Sequence, residues 1–171
     1  MTPRDTTQLA RELGERLVDK GWMFACAESC TGGMLAVAMT ETPGSSEWFD
    51  RGIVAYSNAA KVDLLGVHPE TLERFGAVSE ETAMEMAAGV LAGAPDSDFA
   101  VSTTGVAGPG GATPGKPVGM VCFGFATRTG QGVVTRAETR VFPGDRAEVR
   151  LAAVTFALTM ALEFNPEDSF L

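Results

Sequence analysis

Leu9, Leu13 and Leu17 recur every four residues and so share one face of a helix; Asp5 or Thr6 can cap its start and Gly21 can end it. Residues 23–27 form an unbroken apolar run of strand length, suited to burial on both faces. After Glu28-Ser29-Cys30-Thr31-Gly32-Gly33 a helical pattern resumes over 34–39 and breaks at Thr42-Pro43-Gly44-Ser45-Ser46. Residues 52–56 read as a second strand. A short helix follows and ends near Gly66, and Val67-His68-Pro69 reads as a turn. Ser79 caps a further helix, with Glu80 and Glu81 at its positive end and Ala83, Met86, Ala87, Val90 and Leu91 on one face.

Residues 99–102 are a short strand running into a glycine-rich segment. Residues 118–127 and 133–142 then pair as a hairpin around Gly130-Gln131-Gly132. In its second arm Arg136, Glu138 and Arg140 alternate with Thr135, Ala137, Thr139 and Val141, the signature of a half-exposed strand near a sheet edge. A last helix starts at Asp145 with Glu148 as its capping-box partner, burying Val149, Ala152, Ala153, Phe156, Ala157 and Met160. Early βα alternation predicts parallel strands, and the hairpin adds an antiparallel pair. The expected fold is α/β: a three-layer α/β/α sandwich with a mixed, mostly parallel sheet. With no internal repeat or linker, residues 1–171 are expected to form a single domain.

Composition narrows the function. A formal net charge of −9 without a basic run argues against nucleic acid, and a small ligand is the expected partner. No stretch has the apolar length of a membrane span, and the start lacks the order of a signal peptide; a cytoplasmic location is expected. Three cysteines without a CxxC pair argue against a disulfide framework or a zinc site, and no cofactor or metal is expected. The single histidine, His68, leaves a Ser-His-Asp triad one possible base, in a turn before Pro69.

Ligands of open α/β sheets gather at the carboxyl ends of strands, and three segments of this chain should meet there. The first is the turn from Glu28 to Gly33. A hydroxyl there is exposed beside the free N–H groups of a helix start, which can hold an oxyanion; alternatively, Ser29 or Thr31 simply caps the helix. Gly32 and Gly33 favour the first reading, since they weaken a first turn but admit close approach to the backbone. The second is Tyr56-Ser57-Asn58-Ala59-Ala60-Lys61, where a partly buried Lys61 can accept a serine proton and Tyr56 can relay it or stack on a ring. A surface lysine and a core tyrosine are the plain alternative. The third is Thr103-Thr104-Gly105-Val106-Ala107-Gly108-Pro109-Gly110-Gly111, a candidate phosphate-binding nest or a surface loop, and not a Walker A loop. Arg146 adds a cation to the first turn of the last helix, where an anion would explain it as well as simple solvation does.

Together, Ala27-Glu28-Ser29-Cys30-Thr31-Gly32-Gly33, Tyr56-Ser57-Asn58-Ala59-Ala60-Lys61, Gly76-Ala77-Val78-Ser79, the 104–111 segment, Lys116-Pro117-Val118-Gly119 and Gly144-Asp145-Arg146 closely resemble the nicotinamide-nucleotide amidohydrolase family, also found as the C-terminal domain of the CinA proteins. The likeness runs from about Leu9 to Phe164, and the chain looks like the stand-alone form. It implies an α/β/α enzyme, commonly dimeric, that hydrolyses nicotinamide mononucleotide to nicotinate mononucleotide and ammonia. It places the family's nucleophile on Ser29, its tyrosine on Tyr56 and its lysine on Lys61. Thr31, Gly32, Gly33, Thr104, Gly105, Gly108 and Arg146 are the expected substrate contacts, with oxyanion donors around Thr31 and Gly32. Gly110-Gly111 stands where many relatives carry an acidic residue. A nucleotide-binding module without turnover and a serine amidase for another small amide are the rival readings. Cys30, beside Ser29, is read as packing.

Overall fold

The computed structural model describes residues 5–164. Helix α1, Thr6–Lys20, begins on a capping box in which Asp5 accepts from the Gln8 N–H, and ends on a left-handed Gly21. Strand β1, Phe24–Glu28, is buried throughout and pairs in parallel with β2, Phe49–Val54, and β3, Phe99–Gly105. Strands β4, Met120–Thr129, and β5, Gly132–Val141, extend the sheet as an antiparallel hairpin, giving the order β2-β1-β3-β4-β5. Only β4 runs against the other strands, so the sheet is mixed but mostly of one direction.

Helices α1, α2 (Met34–Thr40) and α6 (Arg146–Glu163) cover one face; α3 (Asn58–Leu65), α4 (Pro69–Phe75) and α5 (Glu80–Ala92) cover the other. The strands divide their side chains between these layers by simple alternation. Phe24, Phe99, Phe123 and Phe125 project toward α1 and α6, whereas Ala25, Ala27, Ala100 and Ala126 project toward α5. The small residues let α5 press against the sheet: a Cβ on Gly124 would come within 2.1 Å of the Ala83 carbonyl oxygen.

Several elements differ from the sequence expectation: β3 runs on to Gly105 instead of stopping at residue 102, β2 ends at Val54 before residue 56, and α6 buries Val154 and Leu158 while Ala152, Phe156 and Met160 are only half-buried. Val67-His68-Pro69 is not a turn alone, because His68 is the N-cap of α4 and Pro69 occupies its first turn, where a missing N–H costs nothing. Strand β2 begins at Phe49 rather than residue 52, its start disguised by Asp50 and Arg51 on a half-exposed edge.

The parallel register fixes the site. Glu28 of β1 lies opposite Val54 of β2 and Thr103 of β3, so Ser29, Tyr56 and Thr104 stand together at the carboxyl ends of the parallel strands. Strand β5 finishes at that same end of the sheet, beside Met120 of β4, and delivers the start of α6 there.

Candidate active site

Ser29 follows β1 directly, and its N–H is held by the Thr103 carbonyl at 2.9 Å, which roots the turn in the sheet. Neither Ser29 nor Thr31 caps α2. Its N-cap is Gly33, which has no side chain, and the carboxylate of Glu28 reaches forward to take its place. Glu28 is fully buried and accepts from the N–H groups of Leu35 (2.8 Å) and Ala36 (3.1 Å) and from the Thr31 hydroxyl (2.6 Å). A carboxylate at a helix start is favoured by the dipole, and these donors replace its lost hydration. Thr31 also meets the Thr103 hydroxyl at 2.7 Å. The Ser29 hydroxyl is therefore free of capping duty.

Lys61 lies in the first half of α3, which Ser57 caps through the Ala60 N–H. Only 1% of its surface is exposed, and its Nζ stands 2.9 Å from Ser29 Oγ and 2.8 Å from the Tyr56 carbonyl oxygen. Burial pulls the Lys61 ammonium below its ordinary pKa, outweighing the opposite influence of Cys30. A buried lysine with a lowered pKa, in direct contact with a serine hydroxyl, has the geometry to accept its proton. The serine hydroxyl has a second acceptor in the Tyr56 carbonyl, at 3.3 Å.

Tyr56 thus serves the pair through its backbone. The direct contact between Ser29 and Lys61 leaves no gap for a phenol to bridge. The Tyr56 side chain is 58% exposed, and its hydroxyl accepts from Arg146 at 3.0 Å. Arg146 also donates to the Gly108 carbonyl at 2.8 Å, tying the end of β2 to the glycine-rich loop. At the helix start beside it, Asp145 and Glu148 cap each other's backbone, so two carboxylates already occupy the positive end of α6.

These residues enclose a cavity of about 180 Å³ with Ser29, Cys30, Tyr56, Asn58, Lys61 and Arg146 on its walls. Ala77, Val78, Thr104, Gly105 and Ala107 complete it. A neighbouring depression of about 530 Å³ holds Gly108, Pro109 and Val118 on the far side of Arg146. The Thr104 hydroxyl is spent on the Ala77 carbonyl at 2.8 Å, which fixes the opposite wall. Thr31, Gly32 and Gly33 are not on the cavity wall. Thr31 is buried between Glu28 and Thr103, and the two glycines border a separate hollow with Val37 and Leu151.

The expected oxyanion donors change accordingly. The Gly32 N–H is already bonded to the Ser29 carbonyl at 3.0 Å. Among the described residues, the Cys30 N–H meets no acceptor except its own thiol, and Cys30 lines the cavity beside Ser29. A donor next in sequence to Ser29 could hold an oxyanion developing on a group attacked by that hydroxyl. Burial pushes the Cys30 thiol up to about 12, despite its own backbone N–H, so it stays protonated. Asn58 was not singled out from sequence, although its place in the first turn of a capped helix after a strand is a readable signal. His68 bonds Glu85 at 2.9 Å and does not line the cavity. Among the described residues no group of three or more His, Cys, Asp or Glu side chains could hold a metal ion, and no helix is long and apolar enough to cross a membrane.

Comparison with known proteins gives one consistent result. The model of the CinA C-terminal domain matches residues 6–164. The chain is 52% identical to the nicotinamide-nucleotide amidohydrolase PncC of Enterobacter agglomerans, over 95% of this chain and 96% of that one. It is 48% identical to the PncC of Escherichia coli K12, over 92% and 93% of the two chains. Among solved structures, a competence or damage-inducible protein from Enterobacter asburiae superposes with a TM-score of 0.88 at 41% identity, covering 94% of this chain and 98% of that one.

Proposed function

Since this chain belongs to the CinA C-terminal domain family, we propose that it hydrolyses the carboxamide of nicotinamide mononucleotide to nicotinate mononucleotide and ammonia, with Ser29 as nucleophile and Lys61 as base. The observation that carries this reading is the 2.9 Å contact between Lys61 Nζ and Ser29 Oγ, two buried groups with the lysine pKa lowered. The activity itself is that named for PncC relatives about half identical in sequence.

Neutral Lys61 takes the proton as Ser29 Oγ bonds the carboxamide carbon, while the Tyr56 carbonyl holds the amine in place. The carbonyl oxygen, now negative, accepts from the Cys30 N–H. The carbon–nitrogen bond then breaks, and the departing nitrogen leaves as ammonia with the proton stored on Lys61. Water attacks the acyl-enzyme with Lys61 again as base, and the carboxylate is released. The side chains of Tyr56 and Asn58 meet the pyridine ring at the mouth. Arg146 takes the phosphate together with the N–H groups of Ala107 and Gly108, which have no acceptor among the described residues. With Asp145 and Glu148 at the helix start, the guanidinium rather than the helix dipole attracts the anion. A homodimer completes the reading on the family resemblance, with the cytoplasm as its expected place.

The test is ammonia release from nicotinamide mononucleotide by the parent and by Ser29→Ala, with free nicotinamide as a second substrate. Release by the parent alone, and much less from free nicotinamide, is the expected result. Silence from a folded parent would move the assignment to a binding module, and comparable release from both amides to a general small-amide hydrolase.

A further inference from the structure

Arg150 lies one helical turn beyond Arg146, so α6 presents both guanidinium groups on one side. Arg146 reaches Gly108 and Tyr56, whereas Arg150 reaches behind the nucleophile turn. Its Nε donates to the Cys30 carbonyl at 3.0 Å and its Nη2 to the Thr31 carbonyl at 3.4 Å. Gly32, at φ +57°, leaves room for this approach, since a Cβ there would stand 3.2 Å from Nη2. What the glycine admits at this position is an arginine of the chain itself.

The consequence follows from peptide geometry. The one cis bond among the described residues is Gly108–Pro109, so every peptide in the turn is trans and its C=O and N–H point in opposite directions. The peptide whose carbonyl Arg150 holds at Thr31 carries its N–H on Gly32, and that N–H donates to the Ser29 carbonyl at 3.0 Å. The Ser29 carbonyl belongs to the peptide whose N–H is on Cys30, the group that opens beside the nucleophile. A cation, two peptide units and a donor with no acceptor but its own thiol thus form one chain of aligned dipoles. Each hydrogen bond polarises the next, so a positive charge at one end strengthens the donor at the other.

We infer that Arg150 is a positioning residue for catalysis, fixing and polarising the Cys30 N–H through the Thr31–Gly32 and Ser29–Cys30 peptides. The inference deepens the proposed function and rests on its assignment of Ser29 as nucleophile, not on the identity of the substrate.

The test therefore avoids the nucleotide. A fluorophosphonate probe reacts with an activated serine: the Oγ–phosphorus bond forms, the phosphorus–fluorine bond breaks, fluoride leaves and the serine proton passes to Lys61. The labelling rate at Ser29, followed by intact mass, is compared in the parent, Arg150→Met, Arg150→Lys and Arg150→Ala with methylguanidinium added. Arg150→Met is expected to slow labelling on the order of 10²-fold. The pH at half-maximal rate should not change, because Lys61 is untouched. Arg150→Lys, with a charge but no fork, should recover only part of the rate. Methylguanidinium should restore Arg150→Ala without restoring its melting temperature, a separation that a purely structural role does not produce. Labelling of folded Arg150→Met within about twofold of the parent overturns the inference, as do failure of methylguanidinium to restore Arg150→Ala and a parent that does not label. A parent that labels but releases no ammonia from the mononucleotide leaves this inference standing and removes the substrate assignment.

Discussion

The carbonyl oxygen of Tyr56 accepts from Lys61 Nζ at 2.8 Å, while the phenol of the same residue points to Arg146. Backbone and side chain of one residue thus serve the two halves of the cavity. Tyr56→Phe keeps the carbonyl and removes only the hydroxyl. It is expected to leave kcat within about threefold and to raise KM roughly fivefold, the worth of one hydrogen bond of about 1 kcal/mol. A loss in kcat of two orders of magnitude or more would instead make the phenol a proton carrier.

Lys61 ties activity to pH. In the proposed mechanism its neutral form is the base, so kcat/KM should climb as the lysine loses its proton, with a midpoint below the ordinary 10.5. The same burial affects stability. Below the folded-state pKa both states carry the charge, and the burial cost falls on the native one. Between that pKa and 10.5 the unfolded chain holds a proton that the folded chain lacks, so stability rises with pH and the cost disappears above 10.5. Lys61→Met should lower activity about 10³-fold yet raise stability by about 1–2 kcal/mol at neutral pH. That corresponds to a gain in Tm of roughly 2–8 °C. A variant less stable than the parent in thermal unfolding would show that the lysine is not strained by its burial.

Glu28 carries the start of α2 from a neighbouring element. Glu28→Ala strands the Leu35 and Ala36 N–H groups and leaves the Thr31 hydroxyl with Thr103 alone, and should cost about 3–5 kcal/mol in urea unfolding. Glu28→Gln keeps the volume but turns an amide donor toward one of those N–H groups, and about 1–2 kcal/mol is expected. A neutral Glu28→Ala would mean that α2 finds another cap.

The close seating of α5 makes a fourth prediction. Gly124→Ala drives a methyl into the backbone of Ala83 and should destabilise by about 3 kcal/mol, with m unchanged. Gly130→Ala, where a Cβ meets nothing within 4 Å, is the control and should change stability by less than about 0.5 kcal/mol. Equal midpoints for the two variants would refute the tight contact.

Much of this was legible in the sequence, for identifiable reasons. Asp5, Ser79 and the pair Asp145 and Glu148 marked helix starts because caps are local chemistry, and each caps as the pattern predicts. Helix α4 was hidden because Val67-His68-Pro69 has the composition of a turn and Pro69 serves equally well as a first helical residue. Ser29, Tyr56 and Lys61 stood out by their places after strands, and the parallel register brings them together. The division of Tyr56 between carbonyl and phenol had no trace in residue types. Neither did the reach of Arg150 to two main-chain oxygens, because a carbonyl acceptor looks the same at every position. The neighbouring glycines suggested close approach but not what approaches.

The unequal layers of the sandwich bear on how this protein can be altered. Lys61 rides on α3, which lies against α5 on the alanine and glycine side, where a Cβ on Gly89 would meet the Leu65 carbonyl oxygen at 1.8 Å. The aromatic side beneath α1 and α6 has large side chains that can exchange volume with one another. Substitutions meant to tune thermal tolerance should therefore be sought among Phe24, Phe99, Phe123 and their neighbours. The side that mounts Lys61 has almost no spare volume, and its mutational freedom is correspondingly narrow.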